Sequence, residues 1–476
     1  MDAEISFWID VLTSILDAIL FLAKNKLPFI GSSKDINSPN CGNFLALIKY
    51  TAKYNPTLAL HIARLEKGSP SYLSPRIQNE FITTAGESVR KSIYQDVKKR
   101  KYFAIMFDAT PDISKKEQVS QIIRTVHSDA IDTYIEESFI DFVHCEGKTG
   151  LEISNMIIQK LKEDGLQIEN CRAQVYDNAS SMSGIYKGVQ TRIKEVNPLA
   201  EYVPCVPHSL NLVGQNAMQK TLVAVLLLGQ VQNIYTFFSA STSRWNLLKT
   251  FVKRTPKNQN ATRWSSKSDA VHILLEEFGG VINCLQFMMD SENTNMQTIA
   301  DAHIRFNDIY NHRFILGLII WDKILYRINI CSKAVQSISC NVDSATKHLQ
   351  SLLDWIKQFQ IDGWEKSVKK ASSKCEEMGI ELESGFNYRA TRNSVPARFR
   401  DPDEINSVPL SNVEKFKVEF FDKIMYSLVE EFEQRFSALR QVCSHFQFLW
   451  GKTLDEAKEE DLADLVKILA AKYPQD

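Results

Sequence analysis

The stretch that most constrains this chain is Lys101 to Ser114, KYFAIMFDATPDIS. From Tyr102 to Phe107 every residue is apolar and nothing alternates, which is the pattern of a central strand covered on both faces. Asp108 stops the run. A buried strand that delivers an acid to its end is a common way to place a metal ligand or a general base, so the remaining chain is read for what surrounds Asp108.

Two further strands, Val119 to Val126 and Tyr134 to Val143, follow with short connections that favour an antiparallel meander. Thr149 with Glu152 three residues on makes a capping box, and Ile153, Met156, Ile157 and Leu161 then keep helical spacing to a stop at Gly165. Cys171 to Asp177, CRAQVYD, alternates and closes on a second acid. Ile185, Val189, Ile193 and Val196 predict one face of a helix ending at Asn197-Pro198, and Tyr202 to Val206 predicts a short fifth strand.

Three meandering strands, a crossover helix, a strand, a helix and a strand is the order of a ribonuclease H-like α/β domain with a mixed five-stranded sheet and flanking helices. A helical crossover lays the fourth strand parallel to the first, about 4.8 Å away, so Asp108 and Asp177 are expected at one carboxyl edge. Two such carboxylates bind Mg2+ or Mn2+ through hard oxygen donors, and a metal pair there would stabilise attacking and leaving oxygens in phosphoryl transfer.

The flanks are helical. Residues 1–100 predict an N-terminal helical region with an opening helix over Phe7 to Ala23 and segments at Phe44 to Ile62 and Ser74 to Lys98; 101–219 predicts the sheet domain. Residues 220–476 predict a large all-α insertion, with Val271, Leu274, Leu275, Phe278, Ile282 and Leu285 on one apolar face and an exposed loop from Tyr388 to Leu410. A length of 476 residues suits about two to four domains. Asp10 and Asp17 interrupt the opening helix and acids precede it, which fits a packed amphipathic helix rather than a signal peptide. Nine scattered cysteines without CxxC spacing suit a reducing compartment and a protein that is not secreted, with no membrane partner.

A net charge of -1 gives no global sign of nucleic acid, but a local one exists. Between Glu201 and Asp269 lie 67 residues without a carboxylate, although 57 of 476 residues are acidic. The window holds eight cations, among them Lys253, Arg254 and Arg263, with Trp245 and Trp264 beside arginines. That combination suits phosphate binding and base stacking; the plainer alternative is a solvated basic face whose acids sit elsewhere.

Four ordered segments, FDATPDISKKEQVSQIIRTV, VYDNASSMSG, CVPHSLNLV and ATRWSSKSDAV, resemble the catalytic half of hAT-superfamily transposases and their host-domesticated relatives. GNFLALI at Gly42 and YLSPRIQNEFI at Tyr72 resemble the domain preceding that half in relatives with TTF-type or MYM-type zinc fingers. The resemblance implies a nuclear or cytoplasmic protein whose RNase H-like fold is interrupted by a helical insertion and whose two Asp and distant Glu bind two metal ions. Asp108 and Asp177 take the two Asp roles. Cys205 and His208 match the CxxH element, and Arg263-Trp264 the RW element, with Trp264 stacking on DNA.

The chain departs from the family pattern twice: no Ser-Glu-Arg, Phe-Ser type region supplies the Glu, and no Cys/His cluster precedes the GNF element. Cys205 and His208 alone make no tetrahedral zinc site, so they are read as structural, and His208 beside Ser209 lacks an orienting acid for a hydrolase triad. The expected function is that of a transposase-derived protein, ancestrally cleaving and joining DNA with Mg2+ or Mn2+ and catalytically incomplete here. The alternative is a domesticated scaffold or transcriptional regulator that binds protein partners, or a second copy of itself, through its helical region.

Overall fold

A computed structural model describes residues 2–65, 70–111, 117–129, 131–145, 147–259, 264–292, 294–337, 340–386, 410–446, 449 and 459–474. Five strands form one sheet in the order β3-β2-β1-β4-β5, with β1 Phe103–Pro111, β2 Glu117–Ser128, β3 Thr133–His144, β4 Cys171–Tyr176 and β5 Glu201–Pro204. The expected mixed five-stranded sheet with flanking helices and a large helical region is what the chain forms. β4 and β5 run parallel, Ala173 opposite Glu201 and Tyr176 opposite Pro204.

The chain divides into two compact units. The first comprises residues 1–103, 120–142 and 158–170. Its core is built on α1 (Asp2–Lys24), where Val11, Ile15, Ile19 and Leu22 repeat at helical spacing and meet Phe44 and Ile48 of α2 (Gly42–Thr51) and Leu58 of α3 (Pro56–Ala63). The helical segment expected over 44–62 is formed by these two helices. Pro56 suits a first helical turn, and the Asn55 side chain accepts from the Leu58 amide at 3.0 Å, so this pair starts a new helix. Ser74 caps α4 (Pro75–Arg100) in the same way.

The second unit comprises residues 104–119, 143–157 and 171–476. It holds β1, β4 and β5 and, after α5 (Gly150–Glu163), α6 (Ser180–Ser183) and α7 (Val189–Val196), the helices α8 (Val206–Gln219), α9 (Leu222–Ser239), α10 (Thr242–Phe251), α11 (Trp264–Glu276), α12 (Phe278–Asp290), α13 (Met296–Ile309), α14 (His312–Val335) and α15 (Val342–Met378). One continuous apolar core runs from Leu210 on α8, through Trp321 and Phe420, to Leu439 and Cys443. The helix Lys423–Arg435 packs along α8, and Asn216 donates to Glu431 at 2.9 Å. By length and composition α1 and α9 are apolar enough to cross a membrane, with mean hydropathy 1.9 and 1.4; each buries one stripe inside its own unit.

The capping box forms as expected: Thr149 Oγ1 accepts from the Glu152 amide at 3.3 Å and Glu152 Oε2 from the Thr149 amide at 3.0 Å. Gly165, at φ +67°, terminates the helix Gly150–Glu163. Three local expectations are corrected. β1 continues past Asp108 to Pro111, so the acid lies within the strand, at the point where burial ends. The expected single helix carrying Ile185 and Val196 is two short ones, Ser180–Ser183 and Val189–Val196; Val189 and Ile193 are buried while Ile185 is 69% exposed between them. Val206 belongs to α8, because Pro207 fits a helix start and cannot donate to a ladder. The loop expected from Tyr388 to Leu410 lies almost wholly outside the described residues.

Candidate functional site

Asp108 on β1 and Asp177, the residue after β4, belong to neighbouring strands and lie close enough for each charge to act on the other. Burial raises the Asp108 carboxyl above the usual carboxylate range, and repulsion from Asp177 raises it further. His208 and the Ala109 amide partly offset this. Cys205 and His208 join the same edge because β5 ends one residue earlier and α8 begins there. The Cys205 thiol is pushed up by burial and then by both carboxylates, while the His208 amide faces its sulfur. Burial and Asp177 likewise raise the Tyr202 phenol.

A hydrogen-bonded frame fixes the Asp177 turn. Asp177 Oδ1 accepts from the Ala179 amide at 3.1 Å. Asn178 Nδ2 donates to Ser209 Oγ at 2.5 Å, Asn178 Oδ1 accepts from the Tyr202 hydroxyl at 3.2 Å, and Ser209 Oγ donates to the Cys205 carbonyl at 2.9 Å. Below it, the buried Gln174 amide donates to the Gln190 and Ala200 carbonyls at 3.1 and 3.0 Å, tying β4 to the segment entering β5. This frame was not singled out in the sequence, although Asn178 and Ser209 sit inside the quoted VYDNASSMSG and CVPHSLNLV segments.

The donor set at this edge is two carboxylates, a thiol and an imidazole. Among the described residues no group of three His, Cys, Asp or Glu side chains is placed to hold a metal ion. The two aspartates fit a hard divalent cation, which would relieve the repulsion that raises Asp108, but two donors hold such an ion weakly. A cavity of about 470 Å3 opens beside Asn178; the facing helices supply Gln434, Arg435 and Gln441 to it, and the carboxylate in its lining, Glu201 of β5, is paired with Lys194 and Lys472.

The cations of the acid-poor window lie elsewhere in the second unit. Lys253 and Arg254 are exposed, and their backbone amides donate to Glu277 at 3.1 Å. The Arg254 guanidinium pairs with Glu276 at 2.8 Å, and Lys257 pairs with Asp269 at 2.7 Å. Carboxylates beyond the window thus return in space to meet its cations. Arg263 lies outside the described residues, and Trp264 opens α11.

Residues 3–188 match the family model described as DUF4371: ZMYM1/FAM200, RNase-like domain. The matched segment contains both Asp108 and Asp177. The chain is also 22% identical over 364 residues to the human 52 kDa repressor of the inhibitor of the protein kinase, an alignment covering 72% of this chain and 47% of that protein. The mouse protein of the same name is 21% identical over 362 residues with the same coverage. The chain thus spans about half the length of the curated relatives it matches. Over residues 3–188, which include Asp108 on β1 and Asp177 just after β4, the chain is similar to the ZMYM1/FAM200 RNase-like domain.

Proposed function

We propose that this chain is a transposase-derived RNase H-like protein that binds rather than cuts: Asp108 and Asp177 keep a weak divalent-ion site inherited from a DNA-cleaving recombinase. The observation that carries this reading is the placement of two carboxylates on neighbouring strands, where they repel each other, with no group of three His, Cys, Asp or Glu side chains arranged to hold an ion among the described residues. Mg2+ or Mn2+ held there would act as a Lewis acid on a phosphoryl oxygen. The chain's own residues position the pair: Asn178 and Ser209 fix the Asp177 turn, and β1 presents Asp108 at the strand position where burial ends. DNA would meet the exposed Lys253 and Arg254, with Arg263 and Trp264 beside them in sequence.

A supercoiled-plasmid nicking assay with Mn2+ tests the reading. The expected result is equal, background nicking by the wild type and Asp108→Ala, together with a Mn2+-induced rise in Tm that only the wild type shows. Nicking by the wild type that Asp108→Ala abolishes would overturn it.

The second reading is a regulator that engages protein partners through its helical region in the nucleus. The matched relatives carry the name of a repressor, which supports this role. A pull-down from nuclear extract with the second unit's helical surface mutated tests it; partners retained equally by wild type and variants would count against it.

A further inference from the structure

α14 and α15, joined by the short segment 336–341, pack against each other. Between them lies a groove of about 410 Å3. Its floor is apolar: Ile319 and Phe359 are buried, and Trp355 stacks on Phe359 with centroids 4.8 Å apart. Its rims are cationic. Lys323 and Arg327 stand one turn apart on α14, about 6 Å along the axis at 1.5 Å per residue, and Lys366 and Lys370 repeat that spacing on α15. All four are exposed. Only Asp362, paired with Lys366 at 2.6 Å, adds a carboxylate to the lining. No carboxylate among the described residues pairs with Lys323, Arg327 or Lys370.

We propose that this groove docks an acidic amphipathic helix of a partner protein, a proposal that rests on the partner-binding reading above and gives that partner its chemistry. A third helix laid on a helical pair drives its apolar ridge into the groove between them. Glutamates or aspartates flanking that ridge at i, i+4 spacing would then face the cations of both rims. A nucleic-acid strand fits less well. Phosphates would satisfy the rims but leave Ile319 and Phe359 uncovered, and the Trp355 ring is already engaged by Phe359 and by the Arg327 guanidinium, 5.4 Å from its centroid, so it is not offered to a base.

The test is fluorescence polarisation on the full chain with two probes. One is a fluorescein-labelled helical peptide with Leu and Phe along one face and Glu on both flanks; the other is a single-stranded oligothymidylate. The peptide is expected to bind saturably, to weaken as salt is raised, and to lose roughly tenfold or more in affinity to the double variant Lys323→Glu, Lys370→Glu. Lys253→Glu, Arg254→Glu should leave its affinity unchanged. A peptide carrying Lys in place of Glu should not bind. Equal affinity for wild type and the groove variant would overturn the groove while leaving the partner-binding reading intact. Absence of peptide binding to the wild type would overturn the proposal, and groove-dependent binding of the oligothymidylate alone would reassign the surface to nucleic acid. All substituted side chains are exposed, and the circular dichroism melt of each variant confirms that folding is kept.

Discussion

Asp108 is held to a raised pKa, so the folded chain keeps its proton to higher pH than the unfolded chain does. Between the ordinary carboxylate value and the raised one the native state binds more protons, and stability falls as pH rises through that window. Asp108→Asn removes the like charge and is expected to raise Tm slightly at pH 7, by about 1 °C for a chain of this size. The gain should vanish when acid protonates both carboxyls, and scanning calorimetry at the two pH values checks it. Asn178→Ala removes the acceptor of the Tyr202 hydroxyl and the donor to Ser209 Oγ, whose own bond to the Cys205 carbonyl remains, and should cost about 1 kcal/mol in urea denaturation. The two aspartates were legible in the sequence because each follows a strand pattern. The Asn178 to Ser209 bond was not, since its partners lie 31 residues apart.

At the scale of elements, α14 shows how local chemistry and burial combine. Asn311 caps it, accepting from the Phe314 amide at 2.9 Å and donating to the Asp308 carbonyl at 3.2 Å. Asn311→Ala is expected to cost about 1 kcal/mol. Trp321 on the same helix is fully buried against Phe420, and Trp321→Ala should cost about 3–5 kcal/mol by leaving a cavity, with Trp321→Phe milder. Urea denaturation followed by far-ultraviolet circular dichroism separates the three. Helix existence was readable from periodicity, but some boundaries were not. Asn55-Pro56 carries a start signal inside what reads as one apolar run, and the exposed Ile185 sits between two helices because its hydrophobicity says nothing of which neighbour will cover it.

For the whole molecule, charge is the property that the linear sequence misrepresents most. The acid-free window suggests a strong positive field, yet Glu276 and Asp269 meet Arg254 and Lys257 from α11. Such exposed pairs are weak, so phosphate can compete for the cations. Glu276→Gln should therefore tighten duplex DNA binding roughly twofold to fivefold and steepen its salt dependence, while Lys253→Gln, Arg254→Gln should do the reverse, as anisotropy titrations at two salt concentrations will show. The sequence by itself determined that Asp108 and Asp177 lie at the limits of buried strand runs, because burial periodicity is a local property. Only the tertiary structure decided that burial and the Asp177 charge act together on the Asp108 carboxyl, and that a carboxylate 22 residues away meets Arg254. Both depend on which distant segments pack side by side, and repulsion or neutralisation exists only once they do.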